Sequence, residues 1–226
     1  MAEPSNPEPG PRPAQSFAEL PLFPLGTVLF PQGLLDLQIF EVRYLDMIGK
    51  CYRAGTPFGV VGLTQGAEVR TRDDASPAGD GFAVEQFADV GTLAHIVELQ
   101  APQAGLLRIR CQGAERFRIQ ARRRLTHGLW VAQAHTVPDD VPQDIPQDLR
   151  PVAHTLSSLI EAQHTGEAPL QLPMLPPYRL DDCGWVANRW CDLLPLPLAM
   201  KQSLLQLDNP LLRLELVGDL LNQRPA

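Results

Sequence analysis

The sequence predicts an α+β protein in which a closed or nearly closed β-barrel precedes a small helical bundle. Residues 20–138 hold six or seven short β-type runs separated by Gly, Pro or Asp, which is the spacing of a barrel. After residue 148 the apolar residues change to helical spacing. With 226 residues and a 44% hydrophobic composition, the chain can bury cores for both parts.

The chain divides into four predicted segments. Residues 1–16, "MAEPSNPEPGPRPAQS", are predicted to be a disordered leader because they carry too little apolar surface to offset the entropy of ordering. Residues 17–138 are assigned to the barrel, and residues 139–148, rich in Pro and Asp, to a linker. Residues 149–226 are assigned to the helical subdomain.

The first barrel strands are predicted around three prolines. Because proline lacks a backbone donor, the run "LPLFPLGTVLFP" is not a helix, and "LGTVLF" between Pro24 and Pro31 is predicted to be the first strand. "LLDLQIF" follows the turn "PQG" as the second. Later strands are predicted at "FGVVGL", "VGTLAHIVEL", "GLLRIRCQG", "ERFRIQA" and "LWVAQAHTV".

Two segments interrupt the strands. "FEVRYLDMIGKCYRAG" carries apolar residues near helical spacing and ends at Gly55, a typical helix stop, so it predicts a short helix crossing the barrel. Residues 66–87, polar and rich in Gly, predict a protruding hairpin tip or mobile loop.

The C-terminal third predicts four helices. The first has Pro151 in its first turn, and the last is capped by Asp208 or Asn209 with Pro210 behind the cap. In the second, Val186 and Trp190 share one apolar face, so Trp190 is predicted to be a buried anchor, whereas Trp185 points elsewhere and is predicted to tolerate substitution.

Charge and cysteine content exclude several classes of protein. A net charge of −7 provides no general attraction for nucleic acid or anionic membranes, and no apolar run approaches the roughly 20 residues of a membrane span. The four cysteines are widely separated and no secretory signal begins the chain, so reduced thiols and a cytoplasmic location are predicted. A zinc site at Cys183, Cys191 and His164 fits no known finger or ribbon spacing, so no metal is expected.

The chain resembles a known family over most of its length. "PLFPLGTVLFPQGLLDLQIFEVRYLDMI", "FGVV", "DVGTLAHIVEL", "LRIRCQGAERFRI" and "LPLPLAMKQSLLQLDNPLLRLELVGDLL" are similar, in this order, to the N-terminal domain of Lon-type ATP-dependent proteases. The resemblance is closer still to stand-alone bacterial proteins made of that domain alone. It implies a PUA-like β pseudo-barrel followed by a helical subdomain.

The resemblance also draws attention to "FEVRY", where the chain leaves the second strand. Glu41 and Arg43 are candidates for a charged pair at a binding site, and Tyr44 for a contact residue. In the plainer alternative Glu41 caps the helix or pairs a barrel arginine, while Phe40 and Tyr44 pack.

The residues predict no catalysis. Full Lon enzymes add an ATPase and a Ser-Lys protease module, but this chain has no GxxxxGK[ST] motif, HExxH or GxSxG. Lys201 and Ser203 lie two apart, so on a helix they face different directions. No cofactor is expected.

The resemblance implies a non-enzymatic module that binds unfolded or specific polypeptide segments, as an adaptor or chaperone-like factor, in a groove between the barrel and the helical subdomain. An RNA-binding PUA-like module is the alternative, supported by the arginine run Arg122 to Arg124, and an unrecognised small-molecule enzyme is a third. The residues leave the ligand and the oligomeric state open.

Overall fold

The computed structural model describes residues 14–66, 85–166 and 171–222. The seven strands are β1 (Ser16–Leu25), β2 (Leu34–Ile39), β3 (Phe58–Gln65), β4 (Gln86–Phe87), β5 (Val90–Gln103), β6 (Leu106–Arg124) and β7 (Trp130–Thr136). The five helices are α1 (Val42–Ala54), α2 (Arg150–Thr165), α3 (Cys183–Leu193), α4 (Leu198–Gln206) and α5 (Pro210–Asn222). The predicted α+β class is confirmed.

Five strands form a closed ring. Antiparallel pairing runs in the order β1-β7-β6-β5-β3, and a parallel pairing of β1 with β3, from Leu22↔Gly59 to Leu25↔Gly62, closes it. The first half of β6 pairs with β2 on one side and with the second half of β5 on the other. β4 pairs with β3. The β5–β6 hairpin and β2 therefore extend beyond the ring as a three-stranded sheet.

The first strand lies earlier than the prolines suggest. β1 runs through Pro21 and Pro24, whereas residues 28–30 are buried without forming a strand, so the strand predicted at 25–30 is wrong. Strand pairing decides the outcome, because β1 pairs with β7 on one side and with β3 on the other, and this pairing outweighs a local preference.

Two predicted strands are in fact one. β6 continues through Gly113, which was expected to end a strand. A Cβ on Gly113 would lie 2.3 Å from the carbonyl oxygen of Phe30, so the glycine permits a close approach of two backbones and does not end the strand.

The predicted helix at 40–55 is confirmed. α1 ends at Gly55, whose φ of 64° is the left-handed conformation of a typical C-cap. Met47 and Ile48 of α1 pack on a barrel core that includes Phe58 and Ile109. The loop predicted at 66–87 lies mostly outside the described residues, as do residues 1–13 of the predicted leader.

The helical subdomain is built around α3. The Asp182 carboxylate caps this helix by accepting from the backbone N–H groups of Gly184 (2.8 Å) and Trp185 (3.2 Å). Trp190 is buried, as predicted, and its indole N–H donates to the Val152 carbonyl of α2 at 3.1 Å. Trp185 is equally buried, contrary to the expected tolerance, because α3 is enclosed on every side.

The later helices begin as the sequence indicates. The Asn209 side chain accepts from the Leu212 N–H at 3.1 Å, which identifies Asn209 as the cap of α5, and Pro210 follows it. Pro151 lies in the first turn of α2.

The barrel and the helical subdomain share a core. Val28, Phe30 and Val90 from the barrel pack in the same cluster as the side chains of α2, α3, α4 and α5. The two parts are therefore packed directly against each other. In the part of the chain described here, no helix is both long and apolar enough to cross a membrane.

The segment at 139–148 lies against the helices. The Gln143 carbonyl accepts from the Cys183 N–H at 2.9 Å, and the Ile145 side chain is buried in the core of the helical subdomain. This connection is therefore anchored at both its backbone and its side chains.

Candidate functional site

The three residues singled out in "FEVRY" lie at the start of α1 in a network of polar contacts. Arg43 is buried, and its guanidinium donates to Glu41 (3.1 Å), to Glu85 (2.9 Å) and to the Gly128 carbonyl (2.9 Å). The Trp130 indole N–H donates to the same Glu85 carboxylate at 2.8 Å. Burial opposes the charge of Arg43, but the hydrogen bond to Glu85 and the neighbouring carboxylates raise its pKa above the ordinary value, so it stays charged.

Tyr44 is also an interior residue. Its ring stacks on Phe23 with 4.1 Å between centroids, and the Arg43 guanidinium carbon lies 4.5 Å from the Tyr44 ring centroid. Glu41 is the member of the three with a solvent-accessible side chain, about 20% exposed. A ligand at this point would meet Glu41 first, with Arg43 and Tyr44 behind it.

The opposite face of α1 is exposed and partly apolar. Val42 is 81% exposed and Tyr52 is 50% exposed, and Phe40, just before the helix, is 55% exposed. Single exposed apolar residues are common on proteins, but a cluster on one element is a typical feature of interaction surfaces.

This face of α1 forms one wall of a groove of about 430 Å³, which we call the α1 groove. The turn of the β5–β6 hairpin and the strand residues next to it form the other wall. The α1 groove is lined by Leu45, Gly49, Tyr52, Arg53, Leu99, Ala101, Gln103, Ala104, Gly105, Leu106 and Leu107. Its volume is within the range of about 300–1,000 Å³ that is usual for binding pockets.

The lining of the α1 groove is mainly apolar. Leu45, Leu99 and Leu107 are partly buried and pack against the barrel core, so they form a floor that is only half covered. Arg53 is the one charged side chain among the described residues of the lining, and Gly49 provides no side chain at all.

The barrel and the helical subdomain, between which a groove was expected, are joined by buried charges. Arg213 of α5 pairs with Asp140 at 2.6 Å, and Arg116 of β6 pairs with the same carboxylate at 3.1 Å. Arg116 also donates to the Leu205 carbonyl of α4 at 3.0 Å. These contacts hold the two parts together along the junction.

A second buried pair lies on α3. Arg189 is fully buried, pairs with Asp192 at 3.0 Å and donates to the Pro31 carbonyl of the barrel at 2.6 Å. Burial raises the pKa of Asp192 to about 6, against the attraction of Arg189 and Lys201. The pair fastens α3 to the turn that precedes β2.

The arginine run that suggested RNA binding has partners within the protein. Arg122 donates to the Phe87 carbonyl at 3.0 Å and lies over the Phe87 ring, and Arg123 pairs with Glu19. Arg124 lies near the ring of the tryptophan that begins β7, at 5.6 Å from its centroid. The run is therefore engaged with neighbouring strands of the barrel.

The cysteines and histidines do not form a metal centre. All four cysteines are free and buried, and burial raises the pKa of Cys111 and of Cys191 to about 12. Within the three described ranges of the chain, no three His, Cys, Asp or Glu side chains are placed to hold a metal. Nε2 of His164 instead lies 3.2 Å from the hydroxyl oxygen of Tyr178.

The α1 groove was not predicted from the sequence. Val42, Leu45, Met47, Ile48 and Tyr52 all contributed to the helical pattern, but only Met47 and Ile48 are buried. A signal was present, because Leu45 and Tyr52 lie on the side of α1 opposite Met47. An apolar pattern that covers two faces of a short helix indicates a second surface to be covered.

Comparisons with known proteins agree with the fold. The family model described as the ATP-dependent protease La (LON) substrate-binding domain matches residues 19–223. The crystal structure of a Lon N-terminal domain protein from Xanthomonas campestris is similar at 30% identity with a TM-score of 0.66, covering 92% of this chain and 100% of that chain.

The N-terminal domain of Mycobacterium avium complex Lon protease matches at 14% identity and a TM-score of 0.49, over 92% of this chain and 100% of that one. No curated protein matches the sequence. The family match covers nearly the whole chain, and the chain therefore belongs to the family of the Lon substrate-binding domain.

Proposed function

We propose that this protein is a non-enzymatic module that binds unfolded or specific polypeptide segments, as an adaptor or chaperone-like factor, and that the α1 groove is its binding surface. The observation that carries this proposal is the half-covered apolar lining of the α1 groove, next to exposed Tyr52. The proposed setting is the cytoplasm, where four buried free thiols remain reduced.

The shape and chemistry of the groove favour a polypeptide. A helix face opposite a β-hairpin offers pockets for apolar side chains along a line, which is how apolar peptide segments are commonly bound. The family's substrate-binding description supports the same ligand class. Covering the groove would remove Leu45, Leu99 and Tyr52 from water, a gain that scales with the apolar area.

RNA binding is the less favoured alternative. Affinity for nucleic acid depends on cations that are free to replace counterions along the phosphate backbone. Arg110, Arg116 and Arg123 are each paired with a carboxylate of the protein, so much of the positive charge of β6 is already used.

Catalysis by Ser203 and Lys201, which the sequence did not predict, is also disfavoured. The Ser203 hydroxyl donates to the Ala199 carbonyl at 3.0 Å, while the Lys201 ammonium donates to the Asp192 carbonyl at 3.4 Å. The two side chains point to different partners, so neither activates the other. We expect the purified protein to hydrolyse no ATP and to degrade no casein, and an activity abolished by a point substitution in this chain would contradict the proposal.

A peptide array tests the proposed site directly. The protein should bind apolar peptides, and Tyr52→Ser should weaken this binding several-fold without unfolding the protein, because the ring is half exposed. Leu212→Ser is the matched control, since Leu212 is 41% exposed on α5, away from the groove. No enrichment of any peptide, together with RNA binding that weakens steeply as salt rises, would overturn the proposal.

A further inference from the structure

We infer that the α1 groove selects apolar polypeptide segments that carry an acidic side chain, and that Arg53 is the residue that receives the carboxylate. The inference rests on the proposed function and adds to it a chemical class of segment. A guanidinium can hold a carboxylate with two parallel hydrogen bonds, so a single arginine is enough to distinguish an acid from its amide.

The charge of the groove is the first support. Arg53 is exposed, lines the groove, and forms no ion pair with any residue that the structure describes. The acid on the same helix, Asp46, is paired with Lys50 at 2.7 Å. The hydrogen bond from Lys50 is the main cause that lowers the pKa of Asp46, with a smaller contribution from the charge of Arg53, so that carboxylate is ionised and its direct partner is Lys50. The guanidinium of Arg53 thus remains available to a ligand.

The position of the guanidinium is the second support. A Cβ built on Gly49 would lie 3.3 Å from Nη1 of Arg53, and the three atoms nearest to it all belong to that guanidinium. The Arg53 side chain therefore folds back along α1 over Gly49 and lies on the wall of the groove, instead of extending from the end of the helix into water.

Gly49 itself is the third support. A glycine within a helix is less stable than an alanine, and the conformation of Gly49 requires no glycine, since it lies in the middle of α1 with a helical backbone. Its missing side chain leaves the space in which the guanidinium meets the apolar lining. A carboxylate of a bound segment would meet the guanidinium there, next to an apolar side chain of the same segment.

An acidic side chain suits this site better than a chain terminus. Capture of a C-terminal carboxylate commonly uses several backbone N–H groups arranged as a nest. In the α1 groove the positive group is a side chain at one wall, with leucines on both sides, so an internal segment can pass through with its acid against Arg53.

The test uses the full chain and two dye-labelled, end-blocked peptides of one apolar sequence that differ only in a central Glu or Gln. Fluorescence anisotropy should give a dissociation constant about threefold to tenfold lower for the Glu peptide. Arg53→Gln should abolish this preference, so that the two peptides bind with equal affinity. Arg53→Lys should keep part of it, and Arg150→Gln, which changes an exposed arginine on α2, should keep all of it.

Gly49→Leu tests whether both peptides bind in the α1 groove, whatever their charge. Leucine is a good helix former and its Cβ would meet only the end of the flexible Arg53 side chain, so the melting temperature should stay the same or rise. Both peptides should then lose affinity, because the added side chain occupies the groove.

The outcomes distinguish the two proposals. If both peptides bind equally and Gly49→Leu weakens both, the acid preference is wrong and the proposed function stands. If neither peptide binds, nor any peptide on the array, the proposed function is wrong and this inference falls with it. If sedimentation shows a dimer that Gly49→Leu dissociates, the groove is occupied by a second copy and the inference is overturned.

Discussion

Two short helices, α1 and α3, use their side chains in opposite ways. α1 buries five of its 13 residues, all on one face, and leaves the other face to solvent. α3 buries nine of its 11 residues, continuously from Cys183 to Cys191. Since α3 has no free face, its charged groups pair inside the protein, where Nε and Nη1 of Arg189 have no hydrogen-bond partner among the described residues. In contrast, α1 can offer a charge and apolar side chains to a ligand.

The proposed binding surface therefore lies on a different helix from the most buried helix of the fold. In α3, Arg189 and Asp192 serve as internal connections to the barrel, and both tryptophans are packing residues. In α1, Arg43 has the same internal role on the buried face, whereas Arg53 lies on the outer face and lines the α1 groove. Four predictions test this division, in decreasing order of magnitude.

Truncating a buried aromatic side chain of α3 should cost the most stability. Trp190→Ala should lower the free energy of unfolding by about 3–5 kcal/mol, because it leaves a cavity and removes the hydrogen bond from the indole to the Val152 carbonyl. Trp185→Ala should cost a similar amount. Tyr52→Ala on α1 should change stability by less than about 0.5 kcal/mol.

Urea denaturation followed by circular dichroism measures all three variants independently of tryptophan fluorescence. If Tyr52→Ala proves as costly as Trp190→Ala, the outer face of α1 is part of the core and the division between the helices is wrong.

Removing the carboxylate shared by two buried arginines should come next. Asp140→Ala leaves Arg213 and Arg116 without their common partner, and the expected cost is about 2–3 kcal/mol, reduced by the 16% of the Asp140 side chain that is exposed. Asp46→Ala, which breaks the exposed pair with Lys50 on α1, should have no measurable effect. Chemical denaturation of the two variants gives the comparison, and equal midpoints would contradict it.

The pH dependence of stability should differ in sign between the two helices. Burial raises the pKa of Asp192 from an ordinary 3.8 to about 6. Between these two pH values the folded state holds a proton that the unfolded state has released. Stability from this group is therefore lost as the pH rises from about 4 to about 6, by at most about 3 kcal/mol. Asp46 has a pKa lowered by its hydrogen bond from Lys50, so its contribution is lost as the pH falls.

Denaturation midpoints of the parent protein and of Asp192→Asn, measured from pH 4 to pH 7, test the first sign. The advantage of the parent over the variant should shrink as the pH rises. Two parallel curves would show that Asp192 is ionised throughout this range and that Arg189 outweighs its burial.

The weakest effect expected is a difference in thiol reactivity. Burial raises the pKa of Cys51 in α1 and of Cys191 in α3, so a disulfide reagent should label neither quickly in the folded protein. Because α1 is held on one face only, its local opening should expose Cys51 sooner than Cys191. Mass spectrometry of the labelled protein over time gives the order, and faster labelling of Cys191 would contradict it.

Much of the fold could be predicted from the sequence because it rests on local signals. Gly55 ends α1, Pro151 lies in the first turn of α2, and Asn209 caps α5, all as expected. These features depend on backbone preferences that act within a few residues. The prolines of β1 indicated the wrong strand, because the pairing of β1 with β3 and β7, which lie far along the chain, outweighs the local effect of Pro21 and Pro24.

The candidate site depends on contacts that are distant in sequence. "FEVRY" attracted attention as a dense local group, but Glu85 and Gly128, which are far along the chain, pair with Arg43 inside the protein. The α1 groove requires the β5–β6 hairpin, which follows α1 after β3 and β4, to stand beside Tyr52 and Arg53. Neither arrangement has a local signature.

Composition, periodicity and capping act locally, and they were enough to predict the class of the protein, the order of barrel and bundle, and most helix ends, whereas the family followed from the resemblance of whole segments to a known domain. The folded chain was needed to show which apolar faces are covered, which arginines are already paired, and that α1 keeps one wall open. Burial and charge pairing depend on residues brought together from distant parts of the chain, and it is the closed barrel that sets those distances.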